Sequence, residues 1–573
     1  AENKQVIAAG SYDSQVKAAF AELDKNEFPA RLWKKDASLW SKDATEQTAI
    51  KNSLGWLIAP EALSERSREL VSLADEVRRA GLRDVVWLGM GGSSLSAQLF
   101  ASTLGSAPGY PKLHVLDTTV PDTIRALDRN IDCTRALFVV ASKTGETIET
   151  QSHFTFFEHV KAKSSSPAGA HFVAITDPGT KLASLAKENK FRRLFLNPPD
   201  MIGCYSVMSY FGLLAAALVG MDVPTLIDHA IRMTHSSAGC VRVDENPGVS
   251  LGAALGVFEK SGRNKLTLIV SPAIGAFAPW IEQLIAESSG KDGKGLVPVY
   301  DEPLVDVKHY GKDRAFVYLK LKGGADGAQD AAFDAVKQAG LPAVQVTMAE
   351  KIDLGEEFLH WEIAAATAAA MAGVDPFKQP AVQESKDNTR RILAEFARSK
   401  KLPSQTAMAE QGKLSIFGGG ATEALKGAKD FRAMLGAFMN LARPGDYFAT
   451  MAYVSPNPTI EKEIAAIRKA VVERFGIATT FAYGPQCLHS SGQLHKGGPN
   501  TGLFLQITQD HREPIAIPGA PYDFAQLNQA QYLGDFQSLE AHGRRVIRVH
   551  LAGHDPVGAI EALRQEFAAA IAG

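Results

Sequence analysis

The chain has 573 residues, of which 45% are hydrophobic and 22% are charged, and its formal net charge is −2. This length is enough for two or three lobes with sizeable cores, and the composition is ordinary for a globular protein. Because the net charge is close to zero, we expect no strong electrostatic attraction to nucleic acid or to an anionic membrane. Neither is therefore an expected partner.

Cysteine usage points to a reducing compartment. The four cysteines lie far apart and form no C-x-x-C pair: Cys133, Cys204, Cys240 and Cys487. This argues against a disulfide framework or a cysteine-based zinc site and predicts a cytoplasmic protein. Residues 1–14 lack the basic and apolar segments of a secretory signal. The apolar stretches at 211–221 and 363–374 are too short to span a bilayer and predict buried helices.

In chain order, residues 1–59 are charged and helix-like, with Trp33 and Trp40 suited to packing against a larger body. In the next segment, 60–235, short apolar strands alternate with helical stretches, which predicts βαβ units and a parallel sheet. The predicted strands are 85–88, 113–116, 137–141 and 172–175. Residues 203–221 then predict one long buried helix.

A second α/β run occupies residues 236–397, and a polar stretch at 398–410 marks a candidate boundary before the last segment, 398–573. The predicted strands of these two segments are 266–270, 316–321, 343–346, 413–417, 447–454, 480–483, 503–507 and 545–549, with helices at 278–288 and 356–372. The strands after 410 predict either a third layer or an extension of the second sheet. The expected fold class is α/β, with parallel sheets flanked by helices and a C-terminal α/β extension that completes the second domain.

Two strand ends in the first run are suited to holding one phosphate. The strand at 85–88 is followed by Gly-Met-Gly-Gly-Ser-Ser at 89–94, and the strand at 137–141 by Ser-Lys-Thr-Gly-Glu-Thr at 142–147. Glycines let backbone N–H groups approach an anion, hydroxyls donate further hydrogen bonds, and a helix N-terminus adds partial positive charge. Loops after neighbouring parallel strands meet beyond one sheet edge, so we expect a small phosphorylated molecule there.

Three further segments carry candidate acid–base groups. Gln283 and Glu287 are four residues apart and share one face of a predicted helix, where a carboxylate beside a cleft can move a proton between adjacent carbons. Lys386 lies about two turns into a helix with a proline at its predicted start. His489 and His495 lie in a glycine-rich segment and suit proton exchange near neutral pH. For each group, the alternative is a side chain that merely faces solvent.

Together these segments resemble the glucose-6-phosphate isomerase family with its paired sugar-isomerase (SIS) domains. The best match is the isomerase half of bacterial transaldolase/glucose-6-phosphate isomerase fusion proteins. The resemblance runs from about residue 31 to the C-terminus and rests on GMGGSS, SKTGETIET, AESSGKDGKG and FKQPAVQESKDN in combination. The segments LHSSGQLHKGGPN and YDFAQLNQAQYLGDF favour the fusion-type branch.

The resemblance implies reversible isomerisation of glucose 6-phosphate and fructose 6-phosphate through a cis-enediol, with no metal and no organic cofactor. It also implies a homodimer as a candidate assembly, and a transaldolase module to which the chain was fused or from which it was cut. The partner it predicts is thus a small-molecule sugar phosphate.

Residue roles follow from the same resemblance, position by position. The implied substrate-binding residues are Gly91, Gly92, Ser93, Ser142, Lys143, Thr144, Thr147 and Gln283. The first three line the sugar end of the site, the next four bind the phosphate, and the glutamine assists. Glu287 is the implied base that moves a proton between C1 and C2, and Lys386 assists ring opening. The ring-opening histidine is His495, with His489 as second choice.

One position departs from the family pattern. Where the family has an arginine that stabilises charge on the enediolate, residues 202–206 read Ile-Gly-Cys-Tyr-Ser, which places Cys204 at that position. Losing such a charge partner costs on the order of 3 kcal/mol of transition-state stabilisation, or roughly a hundredfold in rate. The alternative function is therefore a non-catalytic or weakly active sugar-phosphate-binding protein.

Two other enzyme classes fit less well. Gly89, Gly91 and Ser94 after one strand, with Asp117 after the next, resemble a dinucleotide-binding fingerprint. The third position is serine, however, and the acidic residue lies farther away than the usual ~20 residues. A transaldolase barrel requires eight alternating strands and helices, a pattern that this sequence lacks.

Overall fold

The computed structural model describes residues 1–162 and 167–573, and in them sixteen strands form three sheets. The strands are β1 (Lys4–Ala8), β2 (Asp84–Leu88), β3 (Lys112–Leu116), β4 (Ala136–Ala141), β5 (Phe172–Thr176), β6 (Arg193–Leu196), β7 (Lys265–Val270), β8 (Val297–Val299), β9 (Arg314–Leu321), β10 (Ala343–Met348), β11 (Ala409–Gln411), β12 (Leu414–Gly418), β13 (Tyr447–Tyr453), β14 (Ala478–Tyr483), β15 (Gly502–Gln509) and β16 (Arg545–Leu551).

The same residues form twenty-one α-helices. They are α1 (Asp13–Lys25), α2 (Phe28–Trp33), α3 (Ala44–Lys51), α4 (Ala59–Ser64), α5 (Ser67–Arg79), α6 (Leu95–Thr103), α7 (Pro121–Asn130), α8 (Ile148–Ala162), α9 (Lys181–Glu188), α10 (Tyr210–Leu218), α11 (Val223–Ser236), α12 (Pro247–Lys260), α13 (Phe277–Ser289), α14 (Gly327–Gln338), α15 (Leu354–Ala372), α16 (Pro380–Ser399), α17 (Phe431–Met439), α18 (Pro458–Phe475), α19 (Gly492–Gly497), α20 (Phe524–Ala541) and α21 (Pro556–Ile571). Among the described residues, none of these helices has the length and apolarity needed to cross a bilayer.

The chain divides into two compact units. Unit 1 comprises Ala1–Asp117, Asp128–Ser289 and Ala315–Lys378, and unit 2 comprises Thr118–Leu127, Gly290–Arg314 and Gln379–Gly573. The expected fold class, α/β with parallel sheets flanked by helices, is confirmed. The division of the sequence into 1–59, 60–235, 236–397 and 398–573 stays a prediction.

The first sheet of unit 1 is entirely parallel, with the order β3-β2-β4-β5-β6. Each of the four strands predicted for this region lies wholly within one of the observed strands. The chain builds outward from β2 in both directions, so β2 and β4 are the neighbours at which the connection reverses. In open α/β sheets such a reversal leaves a crevice at the carboxyl ends of the two strands, which is where ligands bind.

The second sheet of unit 1 places β1, β10, β9 and β7 side by side in that order, with β9 and β10 parallel. Here the helix-like prediction for residues 1–59 is wrong in part, because Lys4–Ala8 is an antiparallel edge strand paired with β10. The pairing joins Lys4 to Thr347, a partner that a local pattern does not reveal. The expected packing of the tryptophans is confirmed: the Trp40 indole N–H donates to the Ala366 carbonyl oxygen at 2.8 Å.

The long helix predicted for 203–221 is also wrong, because the segment begins with a 3₁₀ turn at Gly203–Tyr205 and becomes helical in α10. Two serines interrupt it. The Ser206 hydroxyl donates to the Gly203 carbonyl oxygen, and the Ser209 hydroxyl donates to that of Ser206. Serine side chains that bond nearby backbone groups favour turns and caps over helix interiors, and Ser209 caps α10 accordingly.

Unit 2 has a sheet of its own, with the order β11-β12-β16-β15-β13-β14. The strands from β16 to β14 are parallel, and β12 runs antiparallel to β16. The predicted strands after residue 410 fall within about two residues of the observed ones, and they form a third sheet rather than extending the second. Its core includes buried residues of β13, β15 and β16 and of α17, α18 and α21.

Candidate functional site

The two phosphate-suited loops of unit 1 follow the two strands at which the sheet order reverses. The first loop turns through Gly91–Ser93 into α6, and the second runs through 142–147 into α8. Because β2 and β4 are adjacent and parallel, both loops leave the same sheet edge, as the sequence predicts. The ends of the two strands lie close together, since a Cβ added at Gly89, directly after β2, would lie 3.2 Å from the carbonyl oxygen of Ala141 at the end of β4.

The second loop is organised around the Ser142 hydroxyl. The Ser142 Oγ accepts a hydrogen bond from the Gly145 N–H at 3.1 Å and lies 3.0 Å from the Thr147 Oγ1. The Thr144 Oγ1 accepts from the Glu146 N–H at 3.2 Å. Ser142 is buried and Thr144 is exposed, so the loop offers hydroxyls at different depths next to the N-terminus of α8. This arrangement suits an anion.

Lys143 is tied down at the edge of the same loop. Its Nζ forms an ion pair with the Asp177 carboxylate and donates to the Pro199 carbonyl oxygen at 3.0 Å. Burial raises the pKa of Asp177 above its ordinary value, while Lys143 lowers it in turn. The side chain of Lys143 therefore holds the loop in place. The groups of the loop that remain suited to binding an anion are its backbone N–H groups and its hydroxyls.

The first loop packs directly against the turn that carries Cys204. A Cβ added at Gly92 would lie 1.9 Å from the Gly203 carbonyl oxygen, so this close approach requires glycine. The Cys204 side chain is buried in the turn, at the position where the resemblance leads us to expect arginine. Tyr205 completes the turn, and its ring contacts Trp56 and Phe377 at centroid distances of 4.9 and 5.3 Å.

Helix α13 brings the candidate base to these two segments. It packs against both the Gly91–Ser93 turn and the Gly203–Tyr205 turn. The Tyr205 hydroxyl lies 2.7 Å from the Ser288 Oγ, which anchors the end of the helix next to Glu287. Glu287 is only 6% exposed, and the Gln283 Nε2 lies 3.5 Å from its Oε1. The two residues share one helix face, as predicted, and the amide can orient the carboxylate.

Lys386 belongs to unit 2. As predicted, α16 begins at Pro380, so Lys386 lies in its second turn, where it is half-buried. The start of α16 is held by two buried side chains of α19. The Gln493 Oε1 accepts from the Ala381 N–H at 2.9 Å, and the Lys496 Nζ donates to the Ser385 Oγ at 2.7 Å.

The two candidate histidines have different surroundings in unit 2. His495 is 3% exposed, with its Nδ1 2.9 Å from the Tyr447 hydroxyl and its ring against Phe504. Burial lowers the pKa of His495 to about 3, so the ring is neutral at neutral pH. His489 ends a 3₁₀ turn at Gln486–His489 and is half-buried.

Sequence reasoning missed the buried polar groups that support this part of unit 2. Lys496 forms a 2.7 Å ion pair with Asp535, and both side chains are almost fully buried. The Gln493 Nε2 donates to the Gly290 carbonyl oxygen at 3.0 Å, which fixes the segment that follows α13 in the sequence. Both residues lie within the LHSSGQLHKGGPN segment, but burial decides their role and cannot be read from spacing. Within the described ranges, no cluster of three or more histidine, cysteine or acidic residues could hold a metal ion.

Comparison with known proteins identifies a related family. Residues 74–300 match the family model described as phosphoglucose isomerase. This stretch contains both loops, the Gly203–Tyr205 turn and α13 with Glu287.

Individual relatives extend over more of the chain. A glucose-6-phosphate isomerase from Rubrobacter xylanophilus is 28% identical over 392 residues, which is 59% of this chain and 89% of the relative. One from Leptospira biflexa is 25% identical over 414 residues, covering 63% and 92% of the two chains. The crystal structure of a glucose-6-phosphate isomerase from Chlamydia trachomatis superposes with a TM-score of 0.56 at 16% identity, covering 69% of this chain and 88% of that one. At this identity the structural likeness concerns the fold alone.

Proposed function

We propose that this chain, whose residues 74–300 match the phosphoglucose isomerase family model, catalyses the reversible isomerisation of glucose 6-phosphate and fructose 6-phosphate. The observation that carries the proposal is the arrangement in unit 1. Two anion-suited loops leave neighbouring parallel strands, and α13, which carries the buried Glu287, packs against the turn of the first loop. A coupled assay that follows glucose 6-phosphate formation from fructose 6-phosphate with the purified protein tests it. The absence of turnover would contradict it.

In the proposed mechanism, the loops hold the phosphate and Glu287 moves the proton. Ser142, Thr144 and Thr147, with backbone N–H groups of their loop, bind the phosphate oxygens. The Glu287 carboxylate takes the proton from C2 of the open-chain aldose, and addition of a proton to O1 gives the enediol. Glu287 then returns its proton to C1 while the C2 hydroxyl loses its own, which forms the ketose, and Gln283 orients the carboxylate. A proton transfer between adjacent carbons needs a positioned base and a stabilised oxyanion, and it involves no net redox change.

We assign ring opening to Lys386 and one histidine, because the resemblance to the isomerase family implies these roles. Burial lowers the pKa of His495 to about 3, so that its ring is neutral, not an imidazolium, near pH 7. This favours His489 over His495 for the acid–base step, reversing the order suggested by the sequence. Separate alanine variants of the two histidines, assayed with glucose 6-phosphate, distinguish the assignments.

The phosphate-binding role can be measured at Thr147. In the Thr147→Val variant the hydroxyl is lost and the shape is kept, so we expect the KM for fructose 6-phosphate to rise about tenfold with little change in kcat. Thr155→Val is the matched control, because Thr155 is half-buried on α8 and its hydroxyl donates within the same helix, to the Gln151 carbonyl oxygen. A KM unchanged by Thr147→Val would remove this hydroxyl from the phosphate site.

Cys204 supports a second candidate function, a sugar-phosphate-binding protein with weak or no turnover. If this position acts as in relatives, Cys204→Arg raises kcat by at least about tenfold, towards the roughly hundredfold that such a charge contributes. Cys240→Arg is the control, since Cys240 is exposed. Calorimetric binding of fructose 6-phosphate by a wild type without turnover would favour the second function. A folded Cys204→Arg variant with unchanged kcat would show that the position has lost its role.

Assembly and location are proposals that rest on the resemblance. We propose a homodimer, which sedimentation velocity tests directly, and a transaldolase module as a natural fusion partner. We also place the protein in the cytoplasm, on the spacing of its four cysteines.

A further inference from the structure

Unit 2 contains a cavity that the isomerase proposal does not use. Its volume is about 910 Å³, within the range of small-molecule sites. It is bordered by the last turn of α16, residues 400–405, the ends of β15 and β16 and the first half of α20. None of its lining residues is among those assigned to the isomerase reaction.

A buried arginine lines this cavity, and it forms no ion pair with an acidic side chain among the residues that the structure describes. Arg548 is 6% exposed, and its guanidinium lies 4.0 Å from the centre of the Phe417 ring. It donates to the Gln405 Oε1 at 2.8 and 3.1 Å and to the Thr508 Oγ1 at 3.1 Å, both of which are neutral. Burial lowers the pKa of Arg548. A buried cation normally faces a carboxylate, so this guanidinium lacks a counter-charge that a ligand can provide.

Other lining groups strengthen the preference for an anion. Lys400 and Lys401 are exposed at the rim, and in the described part of the chain neither forms an ion pair. The side chain of Gln509 is 4% exposed, and its Oε1 has no hydrogen-bond partner within residues 1–162 and 167–573.

The acidic lining residues are already engaged. Asp510 accepts from the His550 Nε2 at 2.8 Å and from the Gly553 N–H, and Asp523 caps α20. In the described part of the chain, neither carboxylate forms an ion pair with Arg548. A guanidinium fork matches the two oxygens of a carboxylate or a phosphate and can bind either with paired hydrogen bonds.

We propose that this cavity is a second binding site, which takes a small organic anion through Arg548 with Lys400 and Lys401 at its rim. The ligand carries a phosphate or carboxylate group, and the cavity has room for a molecule of nucleotide size. This assignment does not depend on the isomerase function, because none of its residues takes part in that reaction.

Isothermal titration of the full chain with adenosine 5′-monophosphate and with citrate tests the site and distinguishes the two anion types. We expect at least one of them to bind at low salt and to remain bound when fructose 6-phosphate is saturating. The double substitution Lys400→Ala with Lys401→Ala should weaken binding at least tenfold. The Arg548→Lys variant keeps the positive charge but loses the paired N–H donors of the guanidinium. It should also weaken anion binding at least tenfold.

The control is Lys413→Ala with Lys462→Ala, which removes the same charge from exposed positions outside the cavity. Three results would overturn the proposal: no binding of either anion at millimolar concentration, displacement by fructose 6-phosphate, or equal weakening in the control. Because Lys400 and Lys401 are exposed, that double variant keeps the proposal testable even if Arg548→Lys fails to fold.

Discussion

Replacing Glu287 with glutamine is expected to lower kcat by about 10²- to 10⁴-fold, the range that a positioned general base contributes. The amide keeps the size of the side chain but cannot take up the proton. The affinity for fructose 6-phosphate should change little, because the proposed mechanism assigns the phosphate to the 142–147 loop, which is a different element. Steady-state kinetics in the coupled assay, with calorimetric binding of fructose 6-phosphate alongside, measure both quantities.

Glu282→Gln is the matched control. Glu282 lies on the same helix, is buried to a similar extent and undergoes the same chemical change, but it is outside the Gln283–Glu287 face. We expect it to keep kcat within a few-fold of wild type. Full turnover by Glu287→Gln, or an equal loss in both variants, would remove Glu287 from its proposed role.

Gly92→Ala is expected to reduce kcat/KM at least tenfold and to lower the thermal unfolding midpoint. The added Cβ would lie 1.9 Å from the Gly203 carbonyl oxygen and 2.2 Å from its carbon, and both are backbone atoms that cannot rotate away. Either the 91–93 turn or the 203–205 turn must shift. Overpacking of this kind costs roughly 1–3 kcal/mol. Kinetics and differential scanning calorimetry measure the two effects.

Gly203→Ala is a close control, because it changes the other member of the same contact. A Cβ at Gly203 meets no atom within 4 Å, so we expect near-normal stability and activity. If Gly92→Ala is also near-normal, then the close approach of the two turns does not matter for the site, and the packing of α13 on them loses its proposed importance.

Sequence reasoning located four of the five strands of the first sheet, and the two loops, because these features are local. An apolar run that breaks into glycines and hydroxyls marks a strand end whichever strand lies beside it. The face shared by Gln283 and Glu287 also follows from helical spacing alone. By contrast, the helix prediction for 203–221 followed apolar composition and missed the two serines whose hydroxyls bond the backbone.

By itself, therefore, the sequence determined the α/β class, the positions of most strands, the phosphate-suited loops and the helix that carries Glu287. Only the tertiary structure decided that residues 4–8 pair with β10, that His495 is buried and neutral, and that the hydrogen-bond acceptors of the buried Arg548 are the neutral side chains of Gln405 and Thr508. The physical reason is that hydrophobic periodicity and turn chemistry act between near neighbours in the chain. Burial, charge pairing and edge-strand partners depend on residues that folding brings together from distant positions.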